Sequence, residues 1–257
     1  MYPLFLFSIV VMHFSVLAND TTNTSNEPGI GSSFLQSTIV FSSLDSSNLL
    51  SNNTVNDITQ DKLGFIWIAT NDGLIKYDGR SSQVFKFKVG EALQLNSNLI
   101  RTIHRDSEDR LWVGRDGGIS LYLSERNEFL NFESHQDYEK INGVDVVSIV
   151  EGPDKSLWFA TSKSGLIEYR PNSNSFININ KNSNEQQISS NRISDIAFDS
   201  NETMYIATLD GGINIRAKNE DNFTILKASN QEGNRIDGIR ALHISDGTDL
   251  WIGTEHQ

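Results

Sequence analysis

Aromatic residues recur along this sequence at a nearly constant interval. Four tryptophans and one tyrosine stand 45, 46, 47 and 46 residues apart: Trp67, Trp112, Trp158, Tyr205 and Trp251. An interval kept over five positions indicates an internal repeat, and a repeat of this length is typical of arrays built from one small unit. We therefore predict a structural role for these aromatic side chains, packed between neighbouring repeats.

Aliphatic residues accompany each aromatic residue at fixed distances. Two columns lie twelve and nine residues before it: Val55, Ile100, Val146, Ile193 and Ile239, then Ile58, Ile103, Ile149, Ile196 and Leu242. Around Trp67 the pattern predicts a first strand, a turn at 61–64, a buried strand over 65–69, a glycine turn at 71–73 and a third strand over 74–77. More variable strands, such as 84–87 and 176–179, bring the number to four per repeat.

Four antiparallel strands in about 46 residues predict an all-β fold, a β-propeller made of four-stranded blades. Helical repeats of similar period are excluded, because the apolar positions do not recur at three and four residues. We place the incomplete propeller at residues 36–257, with blades at about 50–94, 95–141, 142–187, 188–234 and 235–257. This gives four complete blades and the start of a fifth. Ser37–Leu44 is predicted as a separate strand that closes a ring.

The first 18 residues are almost wholly apolar and end in Val16-Leu17-Ala18, which is typical of a signal peptide cleaved after Ala18. An uncleaved anchor is the alternative, because the segment before the apolar run has no Lys or Arg. Residues 19–35, rich in Thr, Asn and Gly, are predicted to be a flexible leader. We therefore expect a periplasmic or other extracytoplasmic location.

Composition limits the function classes. The formal net charge of −12 and the lack of clustered Lys and Arg argue against nucleic acid as a partner. The chain has no cysteine, and its five histidines show no metal-ligand spacing. Acidic pairs such as Glu108-Asp109 and Glu220-Asp221 fall in predicted turns. We predict no catalytic residue, no metal site and no cofactor in this chain.

The repeat resembles a known family. The segments Leu50–Val55, Gly64–Thr70 and Asp72–Gly79, and the second copy from Leu95 to Ile119, are similar to the two-component regulator propeller repeat. Later copies depart from it: Gly152-Pro153 replaces the turn aspartate, Tyr205 replaces tryptophan, and the fifth copy stops at Gln257. The resemblance implies the periplasmic sensor of a signalling receptor with seven-bladed propellers, a membrane span and a histidine kinase or diguanylate cyclase. None of these later parts is in the sequence, so the chain resembles a fragment.

Ligand binding is predicted on one face of the propeller. The turn after each tryptophan strand and the connection between blades emerge on the same face, near the central channel. That face offers, as candidate ligand-binding residues, Asn71, Asp72, Arg115, Asp116 and Asp210, with Asn52, Asn53, Asn98 and Asn191 in the connections. Asn and Asp also serve turn backbones, so each of these residues has a structural interpretation as well.

The leading hypothesis from sequence is an extracytoplasmic sensor that binds a small molecule or oligosaccharide. Its membrane contact would be through a C-terminal span that the sequence does not contain, and the full receptor is expected to form a homodimer. Two alternatives stay open. One is an exported polysaccharide-acting propeller enzyme with facing acidic residues from several blades, and the other is a surface adhesion or scaffold propeller.

Overall fold

The computed structural model describes residues 10–13, 40–43, 54–89, 94–184, 186–227, 237–245 and 249–255. Two short strands, β1 (Val10–His13) and β2 (Val40–Ser43), pair in antiparallel fashion. The predicted separate strand over 37–44 thus corresponds to β2, which has a partner in β1. The rest of the predicted signal peptide and leader, together with Asn52 and Asn53, lies outside the described residues.

The remaining strands form successive antiparallel sheets in chain order. The first blade consists of β3 (Val55–Gln60), β4 (Ile66–Thr70), β5 (Gly73–Tyr77) and β6 (Ser82–Phe85). The second consists of β7 (Ile100–Arg105), β8 (Leu111–Arg115), β9 (Gly118–Leu123) and β10 (Glu128–Leu130). A one-turn helix, α1 (Tyr138–Ile141), follows it.

The third blade consists of β11 (Val146–Glu151), β12 (Leu157–Thr161), β13 (Leu166–Arg170) and β14 (Ser175–Ile179). The fourth consists of β15 (Ile193–Phe198), β16 (Met204–Thr208), β17 (Ile213–Arg216) and β18 (Thr224–Leu226). The fifth is a hairpin of β19 (Ile239–Ser245) and β20 (Asp249–Thr254). The prediction of an all-β propeller with four complete blades and the start of a fifth is confirmed.

The first strand of each blade packs against the first strand of the next, so these strands form the inner layer of the array. Two predicted strands were placed wrongly. The strand predicted over 65–69 is β4, which begins and ends one residue later. The reason is that the Phe65 amide donates a 3.0 Å hydrogen bond to the Asp61 carboxylate and stays in the turn. The strand predicted over 84–87 is β6, which ends at Phe85. Phe87 lies outside the sheet because its amide donates a 2.6 Å hydrogen bond to Oδ1 of Asn98.

Apolar cores lie between neighbouring blades. The tryptophan of one blade faces the next blade, where it meets a residue of the third strand: Trp67 contacts Tyr122 at 4.7 Å between ring centroids, and Trp112 contacts Tyr169 at 5.2 Å. At the third junction Arg216 takes this place, with its guanidinium carbon 4.7 Å from the Trp158 ring. These tryptophans are buried, whereas Trp251 on the last hairpin is 64% exposed.

Candidate functional site

The face predicted to bind a ligand is assembled by backbone hydrogen bonds between turns and connections. Gly73 donates 2.7 Å to the Asn98 carbonyl, and Gly165 donates 3.0 Å to the Asn191 carbonyl. Turns after the tryptophan strands and connections between blades therefore lie at one end of the strands. We call this surface, formed by residues 71–73, 94–99, 116–118, 142–145, 162–165, 188–192 and 209–212, the connection face.

Asn98 and Asn191, the two predicted connection asparagines that the structure describes, each accept a hydrogen bond from a backbone amide. Oδ1 of Asn98 accepts the Phe87 amide at 2.6 Å, and Oδ1 of Asn191 accepts the Lys181 amide at 2.8 Å. The equivalent bond in two blades favours the structural interpretation for both residues. The amide oxygen of each is thus already engaged by the chain itself.

The acidic and amide candidates of the connection face are held by partners close to them. Nδ2 of Asn56 donates 2.8 Å to Oδ1 of Asn71, and Nζ of Lys86 lies 2.6 Å from Oδ2 of Asp72. Asp116 accepts a hydrogen bond from Nε of Arg101. Asp210 accepts one from the Ser190 hydroxyl and lies 3.6 Å from Nη1 of Arg192.

Arg115 differs from the other candidates because it is almost fully buried. It ends β8 at a position where the four other blades have threonine, namely Thr70, Thr161, Thr208 and Thr254. The hydroxyls of Thr70, Thr161 and Thr208 each accept an amide of the following turn and donate to a glycine carbonyl. In the second blade the Arg115 guanidinium instead donates to the Ser120 hydroxyl and the Asp116 carbonyl, and burial lowers the pKa of Arg115 to about 10.

Sequence reasoning missed a column of bulged residues beside these turns. The pairing register shifts at the second residue of the first strand in all five described hairpins. A bulge redirects a side chain, and here it brings Arg101 to Asp116 and Arg240 to within 2.8 Å of Glu255. The column stands eleven residues before the aromatic residue, so its constant spacing was the available signal.

Aspartates also connect neighbouring blades near the channel. Oδ2 of Asp57 accepts the Thr102 hydroxyl at 2.9 Å and the Ile103 amide at 2.8 Å, both in the second blade. Oδ2 of Asp195 accepts the Leu242 amide at 2.9 Å in the fifth blade. Burial raises the pKa of Asp195, and its hydrogen bonds to amides and to Ser148 oppose that rise.

At the opposite end of the strands, the first turns of the first, second and fourth blades are each organised by one aspartate. Asp106 accepts the Trp112 indole at 2.8 Å and the amides of Glu108 and Arg110 at 3.0 and 2.8 Å. Asp61 makes the equivalent bond to Trp67, also at 2.8 Å. The sequence predicted the turn but not the hydrogen bond from the indole to the aspartate. In both blades the aspartate stands six residues before the tryptophan.

A cavity of about 490 Å³ lies beside these turns, between the first two blades. Its lining includes Leu63, Tyr122, Glu108 and Arg126. It lies away from the connection face, so none of the predicted ligand-binding residues contributes to it. Among the described residues, no group of three or more His, Asp or Glu side chains is arranged to hold a metal ion.

His104, on β7, is a titratable group without a hydrogen-bond partner at Nε2, which is buried. Burial lowers its pKa, while Glu151, Asp106 and Asp57 oppose that shift. The folded state therefore binds this proton less readily than the unfolded state. The stability contributed by neutral His104 is present above the ordinary histidine pKa of about 6.5 and is lost as the pH falls below it.

We predict that His104→Val, which introduces the residue of the third blade at this position, reduces the fall in unfolding free energy between pH 7 and pH 5. Urea denaturation at three pH values measures the change. His243→Val, at the equivalent exposed position of β19, is the control and should leave the pH dependence as it is. An equal pH dependence in wild type and His104→Val would contradict the prediction.

The geometry defines the class: a β-propeller whose blades repeat one aromatic residue, which is bonded to a turn aspartate in the first, second and fourth blades. The sequence profile described as "Two component regulator propeller" matches residues 49–72 and 94–114. Each matched segment contains the first strand and the tryptophan of one blade. The described part of the chain contains no helix long and apolar enough to cross a membrane.

Known proteins share parts of this sequence and its fold. Histidine kinase P4 from Formosa agariphila is 30% identical over 81 residues, which are 32% of this chain and 5% of that protein. A crystal structure described as the extracellular domain of a hybrid two component system, BT3049 from B. thetaiotaomicron, has a TM-score of 0.69 at 24% identity. The similarity covers 82% of this chain and 29% of the chain in that crystal structure.

The same fold is also found in an enzyme. A catalytically inactive virginiamycin B lyase from Staphylococcus aureus has a TM-score of 0.60 at 15% identity, over 84% of this chain and 68% of the lyase. Similarity at this level of identity concerns the fold and not the chemistry.

Proposed function

We propose that this chain is the ligand-sensing propeller of an extracytoplasmic receptor of the two-component type. The observation that carries the proposal is the pair of two-component regulator propeller repeats, set in a propeller similar to the BT3049 extracellular domain. The kinase or cyclase would lie outside these 257 residues. The ligand would be a small molecule or an oligosaccharide, bound on the connection face.

The electrostatics of the connection face support a binding role over an acid–base role. General acid–base catalysis on a sugar needs two carboxyl groups that face each other across the substrate. Here Asp116 is bound by Arg101, and Asp210 by Ser190 and Arg192. No pair of facing, unengaged carboxylates is formed by these described residues.

In this proposal, ligand binding changes signalling only if the ligand has different affinities for two arrangements of the receptor. The bonds between blades are suited to carry such a difference, because Asp57 and Asp195 each join first strands of neighbouring blades. A ligand on the connection face would contact the turns beside these bonds.

Sequencing the coding region beyond Gln257 tests the proposal. We expect further repeats of about 46 residues, a membrane span, and kinase or cyclase motifs. A stop codon directly after a closed ring would contradict a receptor and favour a secreted enzyme or adhesin. A reporter enzyme fused after residue 35 and assayed outside the cytoplasm tests the predicted signal peptide separately.

A further inference from the structure

The cavity of about 490 Å³ between the first two blades has the size and the lining of a small-molecule site. Pockets for small ligands have volumes of about 300 to 1,000 Å³ and are lined mainly by apolar and aromatic side chains, with a few polar groups. Trp67 of the first blade belongs to one buried cluster with Leu111 and Tyr122 of the second, and all three line the cavity. Residues that pack the two blades together therefore also form a wall of this cavity.

The polar atoms of the two aromatic side chains in this wall are already bound by the protein. The Trp67 indole donates 2.8 Å to Oδ2 of Asp61, and the Tyr122 hydroxyl donates 2.8 Å to Oδ1 of Asn127. A ligand in the cavity therefore meets the ring carbons of Trp67 and Tyr122. This wall offers apolar contact.

The size of the cavity is not a general property of the repeat. The equivalent place between the third and fourth blades, beside Trp158, holds a cavity of only about 170 Å³. Arg216 stands there at the position of Tyr122, and its guanidinium carbon lies 4.7 Å from the Trp158 ring. Asp154 stands there at the position of Leu63. The first junction thus has a larger cavity with an aromatic and an aliphatic residue where the third junction has two charged ones.

Leu63 is an apolar residue on an exposed turn. Its side chain is 72% exposed and lines the cavity. The next three blades have polar residues at this position, namely Glu108, Asp154 and Asn201. The turn itself therefore does not require leucine. An exposed leucine beside the cavity is suited to contact the apolar part of a ligand.

Four charged residues of the lining are bound in pairs. Nζ of Lys62 lies 3.4 Å from the Asp109 carboxylate, which joins the first turns of the two blades. Nη1 of Arg110 lies 3.2 Å from the Glu108 carboxylate. These four side chains neutralise one another and leave no net charge for a ligand to match.

Glu125 and Arg126 are the charged residues of the lining that are still available to a ligand. They are consecutive and exposed in the turn between β9 and β10. Among the residues that the structure describes, neither side chain has an ion pair or a hydrogen bond. A guanidinium binds a carboxylate through two parallel hydrogen bonds. A carboxylate and a guanidinium on adjacent residues complement a ligand that carries an ammonium group and a carboxylate close together.

We propose that this cavity binds a free α-amino acid with an apolar side chain. The ligand's side chain lies against Leu63, Trp67 and Tyr122. Its carboxylate accepts hydrogen bonds from the Arg126 guanidinium, and its ammonium group donates to the Glu125 carboxylate. In a peptide the two terminal charges are far apart, so a free amino acid is the ligand that brings both to adjacent residues. The site is at the opposite end of the strands from the connection face, so the inference does not rest on the proposed sensing function.

Calorimetric titration of the full chain tests the site. L-Phenylalanine and L-leucine are the expected ligands, L-serine is the polar amino acid, and 3-phenylpropionate is the apolar ligand without an ammonium group. We expect wild type to bind phenylalanine, leucine or both, and not serine. 3-Phenylpropionate should bind about tenfold more weakly than phenylalanine, because it makes no charge-assisted hydrogen bond to Glu125.

Three variants introduce the residues that the third blade carries at the same positions: Leu63→Asp, Glu125→Asn and Arg126→Ser. All three positions are exposed, so the variants are expected to fold. Each should lower the affinity for phenylalanine or leucine by about tenfold, because each removes one of the three contacts. Arg80→Ser, which removes an exposed arginine from the equivalent turn of the first blade, is the control and should bind as wild type does.

Failure of wild type to bind both phenylalanine and leucine overturns the inference, as does equal affinity in wild type and Arg126→Ser. Binding of 3-phenylpropionate as tightly as phenylalanine contradicts an amino acid as the ligand. If one variant does not fold, the other two provide the comparison. These results leave the receptor proposal standing, because that proposal fails only on the sequence beyond Gln257.

Discussion

Replacing Trp112 by alanine is expected to lower the free energy of unfolding by about 4 kcal/mol, as for other fully buried large aromatic residues. The Trp112 side chain has no exposed area. Its ring centroid lies 5.7 Å from that of Phe159 and 5.2 Å from that of Tyr169, both in the next blade. Its removal would leave a cavity between two blades and take the indole away from Asp106. Urea denaturation followed by far-ultraviolet circular dichroism measures the change independently of tryptophan fluorescence.

Trp251 provides a matched control at the same position of the repeat. It is 64% exposed, and its indole donates 3.1 Å to the Ser245 hydroxyl. Trp251→Ala should therefore cost less than about 1 kcal/mol. Equal losses for Trp112→Ala and Trp251→Ala would show that packing between blades is not what the repeated aromatic residue provides.

Removal of the Asp106 carboxylate is expected to cost about 3 kcal/mol, because buried donors would lose their acceptor. Its side chain has no exposed area and lies 2.6 Å from Nε of Arg110. Asp106→Ala would leave the Trp112 indole and two turn amides unbonded. Asp106→Asn keeps one acceptor oxygen and should cost less, about 1 to 2 kcal/mol.

A double-mutant cycle with Trp112→Phe isolates the indole bond. In the Trp112→Phe background, Asp106→Ala should cost about 1 kcal/mol less than in wild type, because the indole donor is already absent. Asp199→Ala, where the aromatic partner is Tyr205 at 3.2 Å, is the milder counterpart in the fourth blade. Additive effects of the two substitutions at 106 and 112 would argue against a coupled pair.

The sequence was sufficient to predict the blades because their apolar columns repeat with the packing. Trp67 and Ile68 point to opposite sides of a strand buried on both faces, and that burial leaves a continuous apolar run in the sequence. The ends of strands were less predictable. Phe65 and Phe87 are residues of a type common in strands. The backbone amide of each, however, donates to a side chain outside the strand, that of Asp61 or Asn98.

The site was predictable as a surface but not as a set of contacts. Turn and connection positions follow from strand order, so Asn71, Asp116 and Asp210 could be assigned to one face. The partners of Asn71 and Asp116 were missed, because Asn56 and Arg101 reach them through a bulge whose signal in the sequence is a constant spacing and not an apolar pattern. The burial of Arg115 was also hidden, since the same position carries a short threonine in other blades.

The placement of each apolar core between two consecutive blades has a consequence for cooperativity. A blade contacts only its neighbours, so the stability of the array is close to a sum of intrinsic blade terms and nearest-neighbour coupling terms. Loss of one junction, such as the contact of Trp112 with Tyr169, should therefore weaken the two blades that meet there and leave the coupling between more distant described blades unchanged.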